Sequence, residues 1–220
     1  MYTRIDRALK RCLDIAGAAT GLAATAPLLV GLAALVRVSS PGPVLFQQER
    51  VGRHGKPFRM HKFRTMRAAK PGLQVTAGGD PRITRIGRVL RKTKLDELPE
   101  LWNVLVGDMS LVGPRPEVPR YVAMYPENDR VFLQKFRPGV TDPATIVYRS
   151  EEDVLARAPD PEKAYVEDIL PRKVRMYREY LQTASFGTDL MVLLQTLRAI
   201  VVPRPDASKS RPTEEVNGRC

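Results

Sequence analysis

The feature that most limits the fold of this chain is an apolar run near its start. From Cys12 to Val36 it reads CLDIAGAATGLAATAPLLVGLAALV, with a single charge at Asp14. That stretch is longer than the ~20 residues a helix needs to cross a bilayer. A cleavable secretory signal fits poorly, because the run is long and continues straight into basic sequence. Three readings remain open: a spanning helix, a re-entrant hairpin that enters and returns, or a buried core helix. Two features favour the hairpin. Pro27 removes a backbone hydrogen bond in mid-run and kinks a helix there. Both flanks are also basic, with Arg4, Arg7, Lys10 and Arg11 before the run and Arg37, Arg50, Arg53 and Lys56 after it. A single span normally shows an asymmetry of positive charge, and none is seen here.

The remaining sequence is long enough for one compact domain. The chain has 220 residues, 43% of them hydrophobic. Its 36 Lys and Arg against 24 Asp and Glu give a formal charge of +12, which implies an anionic partner. Cys12 and Cys220 sit in unrelated settings and form no disulfide framework or metal-ligand spacing, so a reducing compartment is the simpler reading. His54 and His61 lack the company of a metal site or a catalytic triad.

SSPGPVLF reads as a turn and a short strand, and residues 44–66 as brief extended runs among many cations. Residues 67–81 look like an exposed loop. Ile83, Ile86, Val89 and Leu90 stand at helical spacing among arginines, a basic amphipathic helix over 82–94. Leu98, Leu101, Trp102 and Leu105 mark a second helix, which Gly107 can end. Residues 117–135 suit a short helix. Residues 151–181 have a charged helical pattern with interruptions near Pro159, Pro161 and Pro171. Residues 186–202 form an apolar amphipathic helix suited to a membrane surface. The tail from Pro203 is polar enough to be disordered.

Three clusters carry chemistry. In Lys94-Leu95-Asp96-Glu97-Leu98-Pro99, Pro99 belongs in a first helical turn and places the helix start near Asp96. An ordinary reading makes Asp96 an N-cap. A functional one sets two acids among cations at a phosphate-attracting helix terminus, one as nucleophile and its neighbour as metal ligand or base. Arg115, between Pro114 and Pro116, can present a rigid fork to phosphate or be a solvated loop residue. Lys62 and Arg64 alternate with apolar residues on a strand-like stretch.

Taken together, Gln48-Glu49-Arg50-Val51-Gly52, Lys62-Phe63-Arg64-Thr65-Met66, Thr84-Arg85-Ile86-Gly87, Leu95-Asp96-Glu97-Leu98-Pro99 and Asn103-Val104-Leu105 resemble the bacterial sugar transferases, the monotopic polyprenyl-phosphate phosphoglycosyl transferases. Gly107-Asp108-Met109-Ser110, Val112-Gly113-Pro114-Arg115-Pro116 and Arg137-Pro138-Gly139-Val140-Thr141 extend the series in the family's order, over residues 4–200 or so. The resemblance implies a mostly helical α+β fold in three parts: a re-entrant helix-break-helix anchor (1–38), a cytoplasmic catalytic domain with amphipathic surface helices (39–202) and a disordered tail (203–220).

It also implies transfer of a sugar-1-phosphate from a UDP-sugar to polyprenyl (undecaprenyl) phosphate. UMP would be released through a covalent intermediate on Asp96, as the first membrane step of a glycoconjugate or exopolysaccharide pathway. Glu97 completes the dyad, and Mg²⁺ held by Asp96 and Glu97 would neutralise the diphosphate. By motif position, Lys62, Arg64, Arg91, Arg115 and Arg137 are the phosphate-contact candidates, and Pro27 is the break in the membrane helix. The implied surroundings are membrane phospholipid at the cytoplasmic face of a bacterial inner membrane, with a homodimer possible and nucleic acid not a partner.

Three departures from the family stand out. Ala26-Pro27 replaces a Ser-Pro pair, Asp142–Arg149 replaces the Gly-Trp-Ala-Gln-Val-Asn-Gly-Arg pattern, and Tyr177 stands where an Asp is usual. Without the family's multi-span extension the chain reads as the minimal catalytic form. Two other classes compete with this reading. A membrane-tethered nucleic-acid binder would explain the charge and the arginine helix, but aromatic residues are only 6% and no binding motif is present. A non-catalytic scaffold would leave the acidic dyad without a role.

Overall fold

A computed structural model describes residues 2–67 and 79–201. Most of the expected 67–81 loop and all of the expected 203–220 tail lie outside the described residues. The first element, α1, is one helix over Arg4–Ser39. It starts at a reciprocal cap in which Thr3 Oγ1 accepts from Asp6 N (3.0 Å) and Asp6 Oδ2 accepts from Thr3 N (2.9 Å). The expected helix-break-helix is here a continuous helix with Pro27 inside it. Asp14, Ala18, Leu32 and Val36 are its buried positions, whereas Ile5, Ile15, Leu28, Val30, Leu35 and Val38 are exposed.

The apolar run is bound to the rest of the protein along its length. Arg11 donates to the carbonyls of Val104 (2.8 Å) and Leu105 (3.1 Å), in the last turn of a helix where carbonyls need partners from outside. Asp14 Oδ1 accepts from Ser110 Oγ and Leu111 N, both at 2.9 Å. Ala18 packs with Phe58, Met60, Val104 and Met109, and Leu32 and Val36 pack with Phe63 and Leu90.

Strands β1 (Leu45–Val51) and β2 (Pro57–Phe63) form an antiparallel hairpin, Leu45 opposite Phe63. Helix α2 (Arg85–Thr93) is capped by Thr84, whose Oγ1 accepts from Gly87 N at 2.8 Å. After it Lys94 turns the chain with φ 60°, and Leu95–Glu97 make a single 3₁₀ turn. Helix α3 (Glu100–Val106) ends at Gly107, φ 98°, as the sequence indicates. Strand β3 (Ser110–Val112) pairs in parallel with β4 (Gly139–Thr141). Gly113 and Gly139 meet back to back there: a Cβ on Gly139 would lie 2.1 Å from Gly113 N.

Helices α4 (Pro119–Val122) and α5 (Glu127–Leu133) fill the region expected to hold a single short helix. Then come α6 (Pro143–Val147), α7 (Glu151–Ala156) and α8 (Pro161–Ala164), a π-turn over Tyr165–Ile169, α9 (Leu170–Thr183) and α10 (Phe186–Val201). The interruption expected at Pro171 is a change of helix type rather than an end, the π-turn giving way to α9 at Leu170. Pro171 falls in the first turn of α9, where its missing N–H is harmless. Val112, Leu133, Val174, Tyr177 and Leu181 form the main core around the parallel strand pair. The fold is thus mostly helical α+β.

Candidate functional site

The dyad sits on the 3₁₀ turn between α2 and α3. This corrects the expected helix start: α3 begins at Glu100, with Pro99 as its non-capping entry residue. Asp96 therefore caps nothing. It is 7% exposed, and its Oδ1 is buried without a hydrogen-bond partner. Burial raises its pKa and Glu97 adds to the rise, against the pull of Lys62, Lys94 and Arg91. An orphaned, poorly solvated carboxylate oxygen with cations nearby retains a free lone pair for attack on an electrophile.

Glu97 is held quite differently. Its Oε1 lies 2.8 Å from Lys62 Nζ and also receives Arg115 Nη2. Burial would raise its pKa, but Arg115, Lys62 and Lys94 together hold it well below 4.5. Two adjacent acids are thus driven in opposite directions, the usual sign of divided roles.

A third acid, which the sequence reading missed, completes the group. Glu100 is 1% exposed, and its Oε1 lies 3.2 Å from Lys62 Nζ. Neither carboxylate oxygen makes a directed hydrogen bond, and burial raises its pKa. It follows Glu97 at a spacing of i, i+3, which places helical side chains on one face, and that was the available signal. Asn103 also matters here: its Oδ1 accepts from His61 N (3.1 Å) and its Nδ2 donates to Arg59 O (2.8 Å). It staples α3 to β2 beside Lys62.

The five phosphate-contact candidates do not all converge. Lys62 from β2 and Arg115 from the proline-flanked turn meet on Glu97. Arg91 on α2 acts on Asp96 through its charge, while its guanidinium pairs with Glu152 (2.6 Å). Arg64 is buried near the end of α1, donating to Ser40 O (2.6 Å) with Nε and Nη1 unpartnered. Arg137 donates to Gly107 O (2.9 Å) and lines a separate cavity with Arg7, Lys10 and Arg11. Pro27 lies within α1, away from these contacts.

No group of three or more metal-ligating side chains occurs among the described residues. Mg²⁺, however, is commonly held by one or two carboxylates, with substrate phosphates and water completing its shell. The free Oδ1 of Asp96, with Glu97 beside it, fits that kind of donor set.

The model of the bacterial sugar transferase family matches residues 5–203. Among similar proteins are a UDP-N-acetylgalactosamine-undecaprenyl-phosphate N-acetylgalactosaminephosphotransferase of Aeromonas hydrophila, 34% identical over 199 residues, and a UDP-glucose:undecaprenyl-phosphate glucose-1-phosphate transferase of Caulobacter vibrioides, 37% identical over 197. A UDP-glucose:undecaprenyl-phosphate glucose-1-phosphate transferase of Escherichia coli K12 is 36% identical over 198 residues. These matches cover 88%, 87% and 88% of this chain, and 44%, 69% and 40% of the three relatives in the same order. The chain therefore spans less than half the length of two of them.

Proposed function

This chain belongs to the bacterial sugar transferase family, and from that premise we propose that it moves a sugar-1-phosphate from a UDP-sugar to a polyprenyl phosphate. The observation that carries the reading is the contrast within the dyad, an orphaned Asp96 oxygen beside a Glu97 held by two cations. In the proposed reaction Asp96 attacks the β-phosphorus, the bond to UMP breaks, and the sugar-phosphate is held as an acyl phosphate. A phosphate oxygen of the lipid acceptor then attacks the same phosphorus and expels the Asp96 carboxylate. Lys62 and Arg115 keep Glu97 ionised and stand where the diphosphate's charge would arrive. Mg²⁺, held by Asp96 and Glu97, would neutralise that charge.

For the membrane, we read α1 as re-entrant at the cytoplasmic face of the inner membrane, the kink that Pro27 imposes within the continuous helix turning it back. Its contacts run from Arg11 at one end to Val36 at the other, so a crossing orientation would pull β2, α2 and α3 into the lipid. The exposed apolar side chains of α1, with Met191, Leu194 and Leu197 of α10, suit a surface laid against phospholipid.

The test follows nucleotide release from UDP-sugars by detergent-solubilised protein with undecaprenyl phosphate and Mg²⁺. UMP release that vanishes in Asp96→Asn, with the fold retained, is the expected result. UDP in place of UMP, or an active Asp96→Asn, overturns it.

A further inference from the structure

The cavity lined by Arg137 has no part in the chemistry above. It encloses about 310 Å³ between the first turns of α1, the Arg53–Gly55 turn and the segment after α5. None of Asp96, Glu97, Lys62, Arg64, Arg91 or Arg115 lines it. Tyr2, Phe136 and Leu181 give it an apolar floor.

Six Lys and Arg side chains surround this space against one acid, Asp14, whose Oδ1 is already used by Ser110 and Leu111. Lys10 is neutralised by Asp189 at 2.5 Å. The other five, Arg7, Arg11, Arg53, Lys135 and Arg137, make no ion pair among the described residues. Their placement is fixed by the backbone. Arg53 Nε donates to Lys135 O (3.1 Å), and His54 N donates to Gln134 O (2.6 Å), locking the turn against the end of α5. Arg11 and Arg137 are each oriented by donating to main-chain carbonyls. Burial depresses the Arg137 pKa, and Arg11 and Arg53 depress it further against a weaker opposing pull from Asp14, so positive charge outweighs negative in the cluster.

We propose that this cavity binds a phosphate group: like charges gathered around a roomy, partly apolar hollow are the arrangement an anion relieves. A phosphodiester lipid headgroup and free phosphate offer the same chemistry. The site is independent of the dyad, so its test separates from that of the transferase reading.

The full chain in a zwitterionic detergent is titrated calorimetrically with inorganic phosphate and, separately, with soluble short-chain phosphatidylglycerol. Saturable binding is expected, at least about tenfold weaker in Arg7→Gln/Arg53→Gln/Lys135→Gln and unchanged in Asp96→Asn. Binding of the lipid alone assigns the site to a headgroup, and binding of inorganic phosphate assigns it to the phosphate group itself. Circular dichroism checks the triple variant, and Arg7→Gln alone, on an exposed unpaired side chain, gives a smaller loss in the same direction. Absence of saturable binding to either probe, or a folded triple variant that binds like wild type, overturns the proposal.

Discussion

Replacing Lys62 by Met tests the charge arrangement at the dyad directly. The ammonium lies 2.8 Å from Glu97 Oε1 and 3.2 Å from Glu100 Oε1. Arg115 remains for Glu97 after the substitution, so the stranded group is Glu100, whose side chain is 1% exposed. A buried acid that loses its partner takes up a proton rather than stay charged. Holding that proton at pH 7, against an ordinary value of 4.5, costs up to about 3.4 kcal/mol at ~1.36 kcal/mol per pH unit. Burial already raises this pKa in the wild type, so the added cost is smaller, about 2–3 kcal/mol. For a chain of this size that lowers the melting temperature by roughly 5–10 °C. At pH 5 the drop shrinks, because protonating Glu100 is then nearly free. Lys62→Met/Glu100→Gln removes the stranded acid and recovers most of the stability without recovering turnover. Thermal unfolding by circular dichroism at both pH values, with UMP release alongside, reads every arm. A loss below ~2 °C at pH 7, or no recovery in the double variant, would refute the reasoning.

Further predictions concern titration, packing and topology. The folded-state pKa of Glu100 is raised, so its stabilisation is fully present below pH 4.5 and is lost as pH rises through the raised value. Glu97 is depressed, so its contribution is present above 4.5 and is lost as pH falls through the lowered value. Glu100→Gln therefore flattens the decline of the urea midpoint on raising pH from 4.5 to 8 and leaves the acid limb in place; an unchanged slope contradicts this. Gly87→Ala would bring a Cβ to 2.0 Å from Thr65 O, displacing the start of α2. A loss of about 1–3 kcal/mol is expected by thermal melt, with reduced turnover because α2 carries Arg91. Arg4→Cys and Arg37→Cys, each in a Cys12→Ser/Cys220→Ser background, should both react with an impermeant maleimide from the cytoplasmic side; labelling from opposite sides would mean a spanning helix.

Periodic apolar patterns carried well from sequence to structure. Ile86 and Leu90 face the core from α2 as their spacing indicates, and Gly107 stops α3. The same patterns said less about which apolar residues stay outside, and Trp102, Val106 and Val89 are all more than half exposed. Asp96 was legible as a chemical residue but not in its setting. Reading it as an N-cap assumes the helix begins there, whereas Lys94 at φ 60° and the 3₁₀ turn delay the start to Glu100. That geometry depends on packing of the 3₁₀ turn against α2 and β2, which no local propensity encodes. Glu100 was overlooked because a glutamate in a first helical turn is usually a surface residue. Arg137 stands in a motif of the same series as Arg115, yet a motif does not tell on which side of a strand pair its arginine emerges.

The meeting of Gly113 and Gly139 sets a rule for anyone redesigning this protein. Arg115 lies two residues beyond the first glycine and reaches Glu97; Arg137 lies two before the second and lines the other cavity. With a Cβ on Gly113 only 2.6 Å from Arg137 O, there is no side-chain layer to absorb a mismatch between the two loops. Segments 110–117 and 137–141 therefore have to be exchanged between relatives as a matched pair, since a graft of either one alone inherits the other's backbone as a fixed mould.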